Sequence, residues 1–96
     1  MNRDEIINCL RRFREKNQTK YSIIKIGIFG SAARDSMNEK SDIDIVVELE
    51  RPDFFNLIGI KQTLETQLHH SVDIVRYRKK MNKYLKLRID TEAVYV

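Results

Sequence analysis

The sequence predicts an α/β (α+β) fold, with helices and strands alternating through one domain, residues 1–96. Three observations carry this. Two long segments, 3–16 and 53–68, repeat apolar residues at helical spacing. Three short runs, around 23–29, 43–49 and 71–77, are rich in Ile and Val, with period-2 alternation clearest in the second. With three Gly and one Pro, nothing reads as a flexible linker dividing the chain.

The first element is an amphipathic helix over residues 3–16. Ile6, Ile7, Leu10 and Phe13 form its apolar stripe, and Arg11, Arg12, Arg14 and Lys16 lie mostly elsewhere. Asn2 caps it, and Glu5, three residues on, completes a capping box. A polar connector, 17–20, leads to a strand over 23–29. There Ile24, Ile26 and Ile28 are expected on one face, with Ile23 and Phe29 on the other beside Lys25 and Gly27. Gly27 either leaves space beside a site or allows close packing. The strand ends at Gly30-Ser31, and residues 32–35 can form a short helix before a polar loop, 36–41.

In the second strand Ile43, Ile45, Val47 and Leu49 recur at every second position. Pro52 stops it, and Asp53 caps a second long helix carrying Leu57, Ile60, Leu64 and Leu68. That helix ends near His69-His70, which read as an exposed turn because no further Cys or His cluster completes a metal site. Ser71–Tyr77 is the third strand. Met81, Leu85 and Ile89 mark a last helix packed on the sheet, and residues 93–96 a short edge strand.

Composition narrows the function. No run of 18 apolar residues occurs, so no membrane span is expected, and charges break up any apolar run in the first 13 residues, unlike a secretory leader. The single Cys9 sits among Ile6 and Leu10 in a helical pattern, so it packs, and a reducing cytoplasm suits it. The net charge of +4 allows an anionic ligand without implying nucleic acid. Seven of the thirteen residues in 76–88 are basic. They form either a solvated helix face or a patch for nucleotide phosphates, an acidic protein or RNA. Only Tyr77 and Tyr84 interleave them, too few for a base-stacking platform, so nucleic acid is not favoured as a direct ligand.

The chemistry concentrates in residues 23–47. Residues i and i+2 of a strand share a face, about 6.6 Å apart. Asp42 and Asp44 therefore project together, and carboxylates that close repel. A hard divalent cation relieves that conflict with oxygen ligands. Gly30-Ser31 at a strand end offers a tight turn, backbone N–H groups and a hydroxyl suited to phosphate. Arg34, one helical turn on, reaches either a phosphate or the carboxylates of Asp35 or Glu39. Asp73, alone in an apolar strand, is costly unless paired or coordinated. If the third strand lies beside the second with matched faces, Asp73 joins Asp42 and Asp44.

Gly30-Ser31, ten intervening residues, Asp42-x-Asp44 and the later Asp73 together resemble the nucleotidyltransferase superfamily related to DNA polymerase β. The short chain resembles its minimal members, the MNT domains of MntA-like antitoxins, commonly encoded with HEPN-domain ribonuclease toxins. The resemblance covers roughly residues 22–96 and implies a nucleotidyltransferase fold: a mixed three- to four-stranded sheet flanked by helices in α-β-α-β-α-β order. It implies that Gly30 and Ser31, with Arg34 nearby, hold nucleotide phosphates, and that Asp42, Asp44 and Asp73 are both catalytic and metal ligands for two Mg²⁺ ions. Asp73 would help deprotonate the attacking hydroxyl. The implied reaction transfers AMP from ATP to a hydroxyl, a tyrosine on a partner HEPN toxin, within a hetero-oligomer. Members of the family often carry Gly where this chain has Asp35; an acid there weakens phosphate binding or caps a turn. Two other functions stay open: neutralising the partner by binding alone, or nucleotidyl transfer to a small molecule or an RNA.

Overall fold

A computed structural model describes residues 1–96. Helix α1 spans Arg3–Asn17, followed by strand β1 (Ile23–Phe29), the short helix α2 (Gly30–Ala33), β2 (Ile43–Leu49), α3 (Phe54–Leu68), β3 (Val72–Arg76), α4 (Lys83–Glu92) and β4 (Val94–Tyr95). The caps read from the sequence are present. Asn2 accepts from the Glu5 N–H at 2.9 Å while Glu5 accepts from the Asn2 N–H at 3.2 Å. Asp53 accepts from the N–H groups of Phe55 and Asn56.

The four strands form one mixed sheet in the order β3-β2-β1-β4. β1 runs antiparallel to β2 and to β4, and β2 runs parallel to β3. A parallel pair needs a crossover, and α3 supplies it. Alternation along β2 separates the two faces. Ile43, Ile45 and Val47 join Ile26, Ile28 and Val72 against Ile6, Leu10 and Phe13 of α1 and Ile60, Leu64 and Leu68 of α3. On the opposite face Phe29 and Val46 pack with Ile89 of α4, bordered by Val75, Met81 and Leu85. This second cover is small, and it leaves the start of β2 and β3 free for polar groups.

One expectation for β1 is reversed. Ile23 is buried in the main core, whereas Ile24 is 44% exposed. The β1–β2 register slips between Ile23 and Lys25, so the alternation changes phase at that irregularity. Gly27 serves close packing: a Cβ there would strike the Val94 carbonyl oxygen and come within 2.9 Å of Tyr95 Cα, on the edge strand. Cys9 is buried and free, and burial pushes its thiol up, away from nucleophilic use.

Candidate active site

The sheet register assembles the site. Asp44 of β2 pairs with Asp73 of parallel β3 on one side and with Phe29 of β1 on the other. Residues paired directly across strands point to the same face. Asp44 and Asp73 therefore emerge side by side on the face that α4 only partly covers. Phe29 is the last residue of β1, so Gly30-Ser31 follows immediately beside Asp44.

Gly30 has φ +66°, the left-handed region that glycine enters without strain. It turns the chain sharply off β1, and α2 begins at once, two residues earlier than the expected 32–35. A Cβ on Gly30 would collide with Asp44 Oδ2. The glycine is thus required twice, by its backbone angle and by the carboxylate against it. No side chain caps the start of α2, so its first N–H groups are available to an anion. Ser31 is half-buried, and its carbonyl accepts from the Ser36 N–H at 2.9 Å, closing the turn.

Asp42 is exposed and lies one residue before β2 begins. It shares the parity of Asp44 but has no partner in the β3 register. The carboxyl of Asp44 is held above its ordinary range, chiefly by burial and next by Asp73; Asp42 adds to the effect, and Arg88 and Arg34 oppose it. As the side chains stand, no three acids, histidines or cysteines close around a common ion position. The register brings Asp44 and Asp73 together, while Asp42, one residue before β2, lies outside it.

Arg34 pairs with neither Asp35 nor Glu39. Its Nη1 reaches Glu92 Oε1 on α4 at 2.5 Å. The carboxylates weighed from the sequence were local, and the one it meets is 58 residues away. Asp35 has φ 56°, and its carboxylate accepts from the Arg3 N–H at 3.1 Å. It therefore occupies a left-handed turn position and satisfies an N–H in the first turn of α1. This is the turn-capping role that the sequence allowed for the acid.

Two residues near the site were not singled out from the sequence. Arg88 Nη2 lies 3.4 Å from the position a Gly30 Cβ would take, and its guanidinium carbon is 5.6 Å from the Phe29 ring centroid. Glu92 joins it through Arg88 Nε at 3.6 Å. A signal existed: Leu85, Arg88, Ile89 and Glu92 follow the i, i+3, i+4, i+7 pattern of one helix face. Arg88 was read only as part of the basic run 76–88. That run is divided in the structure. Lys86 is bound to Asp90 at 3.2 Å, whereas Arg78, Lys79 and Lys80 are exposed in the loop before α4.

The site is an open face. The cavities lie elsewhere, one of about 280 Å³ between Met1, Met37, Asn38, Glu39 and His70, and none is lined by Asp44 or Asp73. No helix is long and apolar enough to cross a membrane.

The model of the nucleotidyltransferase domain matches residues 10–96. The chain belongs to the nucleotidyltransferase domain family. This nucleotidyltransferase is 39% identical over 93 residues to a Methanocaldococcus jannaschii protein assigned as a protein adenylyltransferase, covering 96% of this chain and 95% of that one. Among solved structures, a minimal nucleotidyltransferase is 28% identical with a TM-score of 0.76, over 98% of this chain and 95% of the other. A second, described as a tri-AMPylated Shewanella oneidensis HEPN toxin in complex with an MNT antitoxin, matches at 21% identity and a TM-score of 0.71, over 97% of this chain and 70% of the matched one. The fold matches the expected mixed sheet and helices of this family, and the chain is an enzyme of the nucleotidyltransferase type.

Proposed function

We propose that this nucleotidyltransferase moves AMP from MgATP to a hydroxyl, that of a tyrosine, on a partner HEPN-domain toxin, and so acts as its antitoxin. The observation that carries this reading is the pairing of Asp44 with Asp73 beside the Gly30-Ser31 turn. It supplies paired acids and a phosphate cradle on one face. The M. jannaschii relative, assigned as a protein adenylyltransferase, supports a protein acceptor. The AMPylated HEPN toxin in the S. oneidensis assembly supports the partner's class. The open face supports an acceptor that brings its own surface.

In this reading Gly30, Ser31 and the uncapped N–H groups of α2 bind the β- and γ-phosphates, with Arg34 beside them. The attacking hydroxyl gives its proton to Asp73 as the new oxygen–phosphorus bond forms at the α-phosphorus. The bond from that phosphorus to the β-phosphate bridging oxygen breaks in line, and pyrophosphate leaves. The donor set suits Mg²⁺: it is all carboxylate oxygen, and Asp44 is already strained by burial and like charge. Asp42, Asp44 and Asp73 would hold two such ions, which when bound stabilise charge on the entering and leaving oxygens. We take residues 1–96 as one minimal domain, and the buried, unpaired Cys9 suits a reducing cytoplasm.

The test is to incubate the protein with MgATP and the partner toxin and weigh the partner. A gain of one or more AMP masses, absent with Asp42→Asn plus Asp44→Asn, supports transfer. Neutralisation that survives loss of both acids, without any mass gain, would assign the protein to binding alone.

A further inference from the structure

Two guanidiniums, one beside Gly30 and one at the end of α2, meet one carboxylate. Glu92 Oε1 meets Arg34 Nη1 at 2.5 Å and Oε2 meets Arg88 Nε at 3.6 Å. Arg34 follows α2 directly, and Arg88 and Glu92 sit one turn apart on α4. The single carboxylate thus ties the end of the Gly30-Ser31 turn to the helix that packs over the sheet.

Arg88 is oriented as well as tethered. Its guanidinium lies over the Phe29 ring, and Phe29 is the cross-strand partner of Asp44. Nη2 is carried to within 3.4 Å of the point where a Gly30 Cβ would stand. Glu92 engages Nε, which leaves the Nη end of the fork, near the Gly30 position, free of that carboxylate. Arg34, which ends α2, and Arg88, whose Nη2 reaches the Gly30 position, both meet Glu92, and a guanidinium can bind two phosphate oxygens at once. A plain ion pair on a helix surface would account for Arg88 with Glu92 at i,i+4. It does not account for the stacking on Phe29, the approach to Gly30 or the sharing of Glu92 with Arg34.

We infer that Arg88 is a further substrate-binding residue that contacts the polyphosphate of the nucleoside triphosphate alongside Arg34, and that Glu92 is a positioning residue for both. This rests on the nucleotidyl-transfer reading above. It adds a contribution from α4, an element outside the Gly-Ser and Asp-x-Asp segments.

The test measures equilibrium binding of ATP and AMP by calorimetry, together with transfer kinetics, for wild type, Arg88→Ala, Arg88→Lys, Glu92→Gln and Arg88→Ala/Glu92→Gln. Losing one charge-assisted phosphate contact weakens binding about ten- to a hundredfold. Arg88→Ala should lose that much ATP affinity, AMP much less, with KM for ATP rising more than kcat falls. Arg88→Lys should recover part of the loss, having charge without the fork. Glu92→Gln should raise KM about three- to tenfold at an unchanged melting temperature. Added to Arg88→Ala it should cost less than it does alone, since its action through Arg88 is already gone. Unchanged ATP affinity in both Arg88 variants overturns the inference, whether or not transfer occurs. If wild type binds ATP but moves no AMP, the transfer reading fails while the Arg88 assignment is still decided by the binding series. If wild type binds no ATP, both fall.

Discussion

The α-carbon of Gly30 is backed directly against the carboxylate of Asp44, so closely that no side chain fits between them. The Gly30-Ser31 turn and Asp44 are therefore one packed unit, although thirteen positions separate Gly30 from Asp44 in the sequence.

Gly30→Ala should be damaging on two counts. The left-handed backbone costs a β-carbon about 1–2 kcal/mol, and the methyl must push Asp44 aside. Urea unfolding should show at least that loss of stability, and ATP affinity should fall by about tenfold or more. Full ATP affinity in Gly30→Ala would refute the proposed role of this turn.

Asp44→Asn separates stability from activity. Transfer should drop at least about a hundredfold, since in the proposed reaction Asp44 would hold the metal directly. Stability should move the other way. The folded-state Asp44 carboxyl lies above its unfolded value, first through burial and then through Asp73. Its charged form therefore weakens the fold at any pH above that raised value, and this penalty fades as pH falls toward the unfolded value near about 4. Asp44→Asn should thus melt higher than wild type near neutral pH, with the gap closing in acid. Added Mg²⁺ should raise the melting temperature of wild type more than that of the variant. A variant less stable than wild type at pH 7 but not at pH 4 would contradict the proposed repulsion.

Asp35 combines a left-handed backbone with a hydrogen bond to the Arg3 N–H. Asp35→Ala loses the bond and keeps the unfavourable angle, and should cost about 1–2 kcal/mol. Asp35→Gly loses the bond but relieves the angle, and should cost less. Chemical denaturation of the pair reads the order directly, and the reverse order would show that the angle is not the governing factor.

Asp53→Ala removes the cap of α3, whose buried residues support the sheet but include none of the site. About 1 kcal/mol should be lost, roughly 4–8 °C in melting temperature for a domain of this size. Transfer measured well below the transition should keep its KM for ATP. A changed KM would mean that α3 communicates with the site.

Local patterning made most of this molecule legible. The caps at Asn2 and Asp53, the alternation of Ile43 through Leu49 and the stop at Pro52 are short-range signals, so the long helices and the first three strands fell where the sequence predicted. Asp42, Asp44, Gly30 and Ser31 were visible because one short segment holds them all. Asp73 could be proposed from its isolation in an apolar strand, but its place opposite Asp44 depends on a parallel pairing made through α3. The phase change at Ile24 was hidden because a bulge alters the period without altering composition. Arg88, Glu92 and the link from Glu92 to Arg34 were hidden for a different reason. A charge on an amphipathic helix has many local partners on paper, and only the docking of α4 over β1 selects among them. The sequence by itself determined the order of elements and the spacing of Gly30, Ser31, Asp42 and Asp44 that resembles the nucleotidyltransferase motif, because these depend on neighbours within a few residues. The tertiary structure alone decided that Asp73 stands beside Asp44, that Asp42 falls outside the β2–β3 register, and that Glu92 joins Arg34 to Arg88, because strand register and helix docking bring together residues tens of positions apart.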